Sequence, residues 1–200
     1  MIDQLLEYLA EDKHTNASTT SNKFKRDLWN FFNRPEYSTT NSCEFGTHKG
    51  QTAYILSHLF NTVYTINLSE THFEDARKIN VGRSNIEYIP FDLYREKLEY
   101  NPIQDEIGTF FIDAGHGYHE VIKDVTRCMQ MTTVDHPHII FDDYGLNLDV
   151  HNAVNDMIED GWLEIIQEIG HEKNYEFDNG RKLLYGPEGI ICILKEKELI

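Results

Sequence analysis

Short apolar runs alternate with stretches of helical periodicity from about residue 41 onward, and this alternation constrains the fold more than any other feature. Apolar runs of about four to eight residues bounded by turn residues indicate strands, whereas apolar residues spaced three and four apart indicate helices. Alternation at this spacing is typical of right-handed crossovers in a mainly parallel sheet covered on both faces. The predicted strands are SCEFG, TVYTINLS, NIEYIPFD, GTFFIDAG, HIIFDDYG, LEIIQEIG and GIICILKE.

Helical patterns fill the gaps between the first five strands and precede the sixth. They cover residues 50–60, 71–80, 119–131 and 149–160, with a weaker pattern at 94–99. The last two strands have no helical pattern between them, so we predict that they pair as an antiparallel hairpin. The predicted fold class is therefore α/β, a three-layer αβα, doubly wound domain with a mainly parallel seven-stranded sheet and an antiparallel C-terminal hairpin.

Residues 1–40 are predicted to form a helical extension that packs on the domain of residues 41–200. A polar linker at residues 15–22 separates two amphipathic patterns, one in residues 2–10 and one in FKRDLWNFFN, which Pro35 ends. Both predicted helices are too short to form a core of their own.

Composition restricts the class of protein and its partners. The 200 residues are 40% hydrophobic, enough for one sizeable core, and the net charge of −16 disfavours a nonspecific grip on nucleic acid or anionic lipid. No apolar run has the length of a membrane span, and the first residues lack a signal-peptide pattern. The three cysteines match no zinc-ligand spacing, so we expect a reduced, cytoplasmic setting.

These observations favour a small-molecule substrate and disfavour nucleic-acid and membrane partners. The edge strands and the N-terminal helices are candidate surfaces for a homodimer.

The first strand leads into CEFGTHKGQTA, which places Glu44, Gly46 and Gly50 before a helix. Glycine permits a tight turn and a close approach of backbone to ligand, and a helix N-terminus offers free N–H groups. The spacing is neither GxGxxG nor the GK[ST] of a phosphate loop. Taken alone, an ordinary glycine-bearing turn between strand and helix explains it equally well.

Polar residues also end the next four predicted strands. In an open parallel sheet, ligands bind outside the carboxyl ends of the strands, so these residues are expected to lie together. They are Asn67, Asp92, Asp113 and the pair Asp142 and Asp143.

This layout, with its terminal hairpin, resembles the class I S-adenosylmethionine-dependent methyltransferases, a Rossmann-like fold, over roughly residues 41–197. The resemblance implies S-adenosyl-L-methionine as the cofactor, with the first motif beside its methionine part and Asp92 at its adenine. The cofactor-binding residues implied by the resemblance are Glu44, Gly46, Thr47, Gly50, Asn67, Asp92, Asp113 and Tyr118.

Asn67 departs from the family, in which an acidic residue usually ends the second strand and accepts hydrogen bonds from the ribose hydroxyls. An amide oxygen can still accept, but it makes weaker bonds than a carboxylate. Glu70 is near enough in sequence to substitute, although a helix-start residue after Ser69 is the simpler interpretation.

Two segments, FIDAGHGYHEVIKDV and HIIFDDYGLNLDVHNAVNDM, resemble the methyltransferase-24 group and the metal-dependent sugar O-methyltransferases of macrocin and novobiocin biosynthesis. The resemblance implies that Asp113, Asp142 and Asp143 bind a metal, and three carboxylates suit Mg²⁺. Neighbouring strand residues point to opposite faces, so Asp142 and Asp143 can reach one ion only if the strand has turned. Alternatively, Asp143 caps the following loop and Asp142 alone lies near the cofactor.

The loop after the fourth strand departs from the family at Gly115, where the second acid of the motif DGD is missing. His116 is then the candidate general base, beside Asp113 as a catalytic residue, because imidazole titrates near neutral pH. A loop histidine bonded to a neighbour is the alternative for His116. Tyr118 either packs on the adenine or is a buried structural residue.

The predicted function is that of an S-adenosylmethionine-dependent, metal-assisted O-methyltransferase acting on a small hydroxylated molecule of the sugar or natural-product type. One alternative is a noncatalytic protein of the same fold that binds the cofactor or another nucleoside. A second alternative is an enzyme of the same fold that transfers a group other than methyl.

Overall fold

The computed structural model describes residues 1–11, 19–97 and 100–195, so the first half of the predicted linker and the end of the weak helical pattern at 94–99 lie outside it. The strands are β1 Asn41–Phe45, β2 Thr62–Asn67, β3 Ile86–Pro90, β4 Thr109–Ile112, β5 His138–Phe141, β6 Leu163–Ile169 and β7 Gly189–Leu194. The helices are α1 Ile2–Glu11, α2 Asn22–Phe32, α3 Gln51–Leu56, α4 Glu74–Ile79, α5 Tyr118–Met131 and α6 Leu148–Glu159, with a 3₁₀ turn at Glu70–Phe73.

The seven strands form one sheet in the order β3-β2-β1-β4-β5-β7-β6. Strands β1 to β5 run parallel to one another, and β7 runs antiparallel to both β5 and β6. This topology confirms the predicted fold class and the antiparallel C-terminal hairpin. The strand order reverses between β1 and β4, and sheets of this kind bind ligands at that position.

Three predicted helices differ in extent from the observed ones. The pattern at 50–60 is helical only over Gln51–Leu56, and the pattern at 71–80 divides into the 3₁₀ turn and α4. The described part of 94–99 is a turn rather than a helix, because the Asp92 carboxylate accepts hydrogen bonds from the N–H groups of Tyr94 and Arg95, each at 3.0 Å. An aspartate that caps its own turn competes with helix formation.

Both faces of the sheet are covered at β4 and β5, which explains why these two strands are mostly apolar. On β4, Phe110 and Ile112 belong to the core under α5 and α6, while Phe111 belongs to the core under α1, α2 and α3. Phe24 of α2 packs edge to face on Phe111 with ring centres 6.0 Å apart. The N-terminal helix α2 is therefore part of the core of the described structure.

Within the described ranges, every helix is too short or too polar to traverse a lipid bilayer.

Candidate active site at the carboxyl edge of the sheet

Two adjoining cavities of about 500 Å³ each open at the carboxyl ends of the strands. Residues that follow β1, β2, β3 and β4 line the first cavity. The second cavity lies beyond β4 and β5 and is closed by residues 19–21 and by the hairpin loop 177–188. Asp113 and His48 line both cavities, so this pair forms their common wall.

The turn after β1 is held in place by backbone contacts. Gly46 has φ +96°, and a Cβ atom there would lie 2.0 Å from the carbonyl oxygen of Asp113. The Gly46 N–H also donates to the Ile66 carbonyl at 3.0 Å. Only glycine permits β1 and β4 to approach so closely at the rim of the first cavity.

Gly50, predicted to contact the cofactor, lines a smaller cavity beside the first one and also has a packing role. It has φ +76°, and a Cβ atom there would lie 2.6 Å from Nδ2 of Asn80 and 2.7 Å from Cβ of Ala76 on α4. Close packing of α3 on α4 therefore requires glycine at this position.

Glu44 is buried beneath the turn, with 1% of its surface exposed. The Thr65 hydroxyl donates to its carboxylate, and the hydroxyls of Thr47 and Thr65 lie 2.6 Å apart. Burial raises the pKa of Glu44 to about 8, although the Thr65 hydrogen bond acts in the opposite direction. Glu44 therefore holds a proton at neutral pH and can donate as well as accept a hydrogen bond.

Asn67 and Asp92 end neighbouring strands but present different groups to the first cavity. Asn67 lines the cavity, and its side-chain oxygen accepts from the Leu68 N–H at 2.8 Å. The carboxylate of Asp92 is engaged by its own turn, while its neighbours Phe91 and Leu93 line the cavity. The predicted adenine region is consequently lined by the apolar side chains of Phe91 and Leu93.

Tyr118 does not occur among the described residues that line the two cavities. Its hydroxyl donates to the Asp156 carboxylate of α6 at 2.6 Å. The structure thus places it at the contact between α5 and α6 rather than at the predicted adenine site.

Asp113, His116 and Asp143 form a group whose potential ligand atoms all lie within 4.8 Å of one another. Nε2 of His116 is 2.9 Å from Asp143 and 3.6 Å from Asp113. Asp143 has φ +55°, so the chain has already turned after β5. The side chain of Asp143 therefore does not follow the alternation of strand side chains between the two faces of the sheet. Two carboxylates and an imidazole are a set that can hold a divalent cation.

The charges in this group are balanced by neighbouring cations. The neighbouring carboxylates of Asp113 and Asp143 raise the pKa of His116 to about 10. Burial raises the pKa of Asp143, but His116 and Arg181, whose Nη2 lies 3.2 Å from Asp143, outweigh it and bring this pKa below its usual value. His116 is therefore protonated at neutral pH in this arrangement, and its role as the candidate base stays a prediction.

Asp142 lies outside this group among the described residues. Burial raises the pKa of Asp142 well above its usual value, and the charges of Asp113 and Asp143 act in the same direction. Lys25 of α2 interacts electrostatically with Asp142 and Glu188, and burial lowers the pKa of Lys25 to about 8. The adjacent aspartates thus have different surroundings, with Asp143 among cations of the loops and Asp142 toward the N-terminal helix.

Several residues in or next to the two cavities were not predicted from the sequence, and Lys25 is one that neighbours the second cavity through Asp142 and Glu188. Lys25 is 2% exposed and next to Phe24 on the buried side of α2, so a lysine within an apolar helical face was a usable signal. His48, Tyr94, Arg181 and Glu188 carry no comparable signal, because they lie in loops whose path the sequence pattern does not fix.

No family model matches the chain, and no curated protein is similar to it in sequence. Solved structures do resemble it. A tRNA (m1A58) methyltransferase from Aquifex aeolicus aligns with a TM-score of 0.65 and 17% identity over 96% of this chain and 76% of that one. A proposed O-methyltransferase from Klebsiella pneumoniae aligns with a TM-score of 0.62 and 14% identity over 98% of this chain and 90% of that one.

A proposed methyltransferase from Streptococcus mutans, solved in complex with SAH, aligns with a TM-score of 0.59 and 10% identity over 79% of this chain and 90% of that one. At these identities the likeness concerns the fold. Together with the strand order, it shows that the chain has the Rossmann-like fold of the class I S-adenosylmethionine-dependent methyltransferases.

Proposed function

We propose that the protein is an S-adenosylmethionine-dependent O-methyltransferase that acts on a small hydroxylated molecule. The observation that carries this proposal is the pair of adjoining cavities at the crossover point of the sheet, with Asp113 and His48 as their common wall. A donor in one cavity and an acceptor in the other would meet at this wall, and methyl transfer requires that alignment.

The first cavity has the chemistry to hold the cofactor. Ile66, Phe91 and Leu93 supply an apolar surface for a purine, and Asn67 supplies a polar group near it. The amide oxygen of Asn67 has a second lone pair beside the one that accepts from Leu68, so it can still accept from a ribose hydroxyl. The cofactor would supply an activated methyl group on a sulfonium.

The second cavity is proposed to hold the acceptor. Its volume of about 500 Å³ suits a small molecule, and its wall is polar, with Ser21, Asp142, Asp143 and Arg181 among its lining residues. These groups can hydrogen-bond to acceptor hydroxyls. The size of the cavity and the net charge of −16 favour a small molecule over a nucleic acid.

We further propose that Asp113, His116 and Asp143 hold a divalent cation beside the acceptor. The donor set fits, because hard carboxylate oxygens dominate it and all its ligand atoms lie close together. A cation at such a site would lower the pKa of a nearby hydroxyl. Arg181 and the proton of His116 would then have to leave the carboxylates, so cation binding should strengthen as the pH rises.

Calorimetric titration tests the cofactor and the cation separately. We expect AdoMet and SAH to bind the protein, and Mg²⁺ or Mn²⁺ to bind with a measurable heat. Asp143→Asn should weaken the affinity for the cation at least about tenfold. Asp142→Asn is the matched control, because the neighbouring aspartate lies outside the cation group. Absence of binding by both AdoMet and SAH would refute the proposed function.

Incubation with isotope-labelled AdoMet and a panel of diols, sugars and catechols tests the reaction itself. Transfer of the label to an acceptor oxygen, identified by mass spectrometry, is the expected result. Label that enters the acceptor as a fragment other than methyl would instead show the alternative group transfer.

A further inference from the structure

Tyr94 connects three separate segments at the first cavity. It lies in the turn after β3 and lines the cavity. Its hydroxyl accepts a hydrogen bond from the Gly115 N–H at 2.5 Å and donates one to Oδ2 of Asp124 at 3.0 Å. The turn after β3, the loop after β4 and helix α5 are thus joined through one phenol.

The hydroxyl of Tyr94 occupies the space that a side chain at position 115 would need. A Cβ atom on Gly115 would lie 2.4 Å from Oη of Tyr94 and 2.6 Å from Oε2 of Glu120. The missing side chain and the tyrosine are therefore two parts of one arrangement, in which glycine permits the phenol to reach the loop backbone.

Asp124 completes the hydrogen-bond chain from inside the protein. Its surface is entirely buried, and burial raises its pKa to about 8. A buried polar group that loses its partner is destabilising, so the Asp124 carboxyl holds the phenol firmly in place. Linked hydrogen bonds of this kind also strengthen one another in a buried environment.

The same loop carries Asp113 and Ala114, which line the first cavity, and Gly115 follows them directly. Loss of the bond at Gly115 would free the loop to move relative to β3. The side of the cavity formed by the loop would then shift against the side formed by Phe91 and Leu93.

We propose that Tyr94 is a positioning residue for the cofactor, which holds the loop 113–117 in its binding geometry through the Gly115 N–H and the Asp124 carboxyl. This inference rests on the proposed function, because it assigns the first cavity to the cofactor. It adds a residue, Tyr94, that the motifs of the sequence did not indicate. It also explains why glycine occupies position 115.

Calorimetric titration of SAH into Tyr94→Phe tests the inference. We expect affinity about fivefold weaker than in the unsubstituted protein, the usual effect of one lost hydrogen bond. Tyr64→Phe is the matched control, since Tyr64 also donates to an aspartate, Asp105, but lies outside both sets of described lining residues. Asp124→Asn should preserve affinity, because the amide oxygen can still accept from the phenol.

A double-mutant cycle separates positioning from general stability. Gly115→Ala should weaken SAH binding by displacing the phenol, and Gly115→Ala combined with Tyr94→Phe should weaken it by less than the product of the two single effects. Thermal unfolding of each variant reports stability independently.

Three outcomes are distinguishable. Weaker SAH binding by Tyr94→Phe with unchanged binding by Tyr64→Phe supports the inference. Equal SAH affinity for Tyr94→Phe and the unsubstituted protein overturns it, whether or not the melting temperature falls, and makes Tyr94 purely structural. Failure of the unsubstituted protein to bind SAH and AdoMet overturns the proposed function and the inference together.

Discussion

The two cavities share a wall but are built in different ways. The first is formed by residues that directly follow strands of the parallel sheet, and backbone contacts such as that between Gly46 and Asp113 fix its shape. The second is assembled from segments far apart in sequence, which polar side chains hold together. Ser21 and Glu188, for example, are bonded at 2.6 Å across 167 positions.

The difference has a consequence for robustness. A cavity fixed by strand register and turn geometry depends on the whole sheet, whereas one fixed by side-chain bonds depends on those few bonds and on charge. Changes in the first cavity should therefore affect global stability most. Changes in the second should act locally on α2 and the hairpin loop.

The largest expected effect is that of Gly46→Ala. Left-handed backbone and a Cβ atom 2.0 Å from the Asp113 carbonyl oxygen should together destabilise the protein by about 4 kcal/mol, measured by urea denaturation. Gly82→Ala is the control, since Gly82 has a similar φ of +83° but nothing within 4 Å of its Cβ position. It should cost only about 1 kcal/mol. Equal effects would show that the turn after β1 adapts, and the comparison of the cavities would fail.

Glu44→Gln should change the pH dependence of stability. The pKa of Glu44 rises on folding from 4.5 to about 8, so the folded protein binds this proton more tightly. The stabilising effect of the proton is complete below the unfolded pKa and is lost as the pH rises through about 8. The stability of the unsubstituted protein relative to Glu44→Gln should fall by roughly 3 kcal/mol between pH 5 and pH 8.

Denaturation of the two proteins at matched pH values measures this difference. Other groups that titrate in the same range, Asp124 among them, remain in both proteins and largely cancel. A difference that is constant with pH would contradict a buried, protonated Glu44.

Glu188→Gln should have the smallest of the three effects and a local one. Glu188 accepts hydrogen bonds from the N–H and hydroxyl of Ser21 and from the N–H of His171. The glutamine side chain has one acceptor oxygen fewer than the carboxylate and carries no charge. We expect about 2 kcal/mol of destabilisation. Hydrogen exchange should accelerate in α2 before the central strands.

Glu172→Gln is the control for this change, because Glu172 lies in the same connection between β6 and β7 and has an exposed side chain. It should leave both stability and exchange unchanged. Accelerated hydrogen exchange throughout the sheet in Glu188→Gln would mean that the second cavity depends on the core as much as the first cavity does.

The sequence predicted the sheet well because strand and helix periodicities are local. The segments GTFFIDAG and HIIFDDYG each contain a continuous apolar run, FFI and IIF, as buried parallel strands require, and these runs lie in the neighbouring strands β4 and β5. The weak helix at 94–99 was wrong in its described part, since the bonds from Asp92 to its own turn depend on side-chain geometry that periodicity does not report.

The candidate site could be predicted only where residues follow strands directly. Asp113 and Asp143 come together at the edge of the sheet with His116, because parallel strands deliver their carboxyl ends to one side. The different surroundings of Asp142 could not be predicted. They depend on the left-handed backbone at Asp143 and on Lys25, a residue more than a hundred positions away.

The sequence by itself thus determined the alternation of strands and helices, the apolar core and the edge at which polar residues gather, since each follows from local spacing and chain connectivity. The tertiary structure alone decided how the charges pair, which phenol holds Gly115, and how α2 and the hairpin loop close the second cavity. Those contacts join residues distant in sequence, and their protonation depends on burial, which no local pattern specifies.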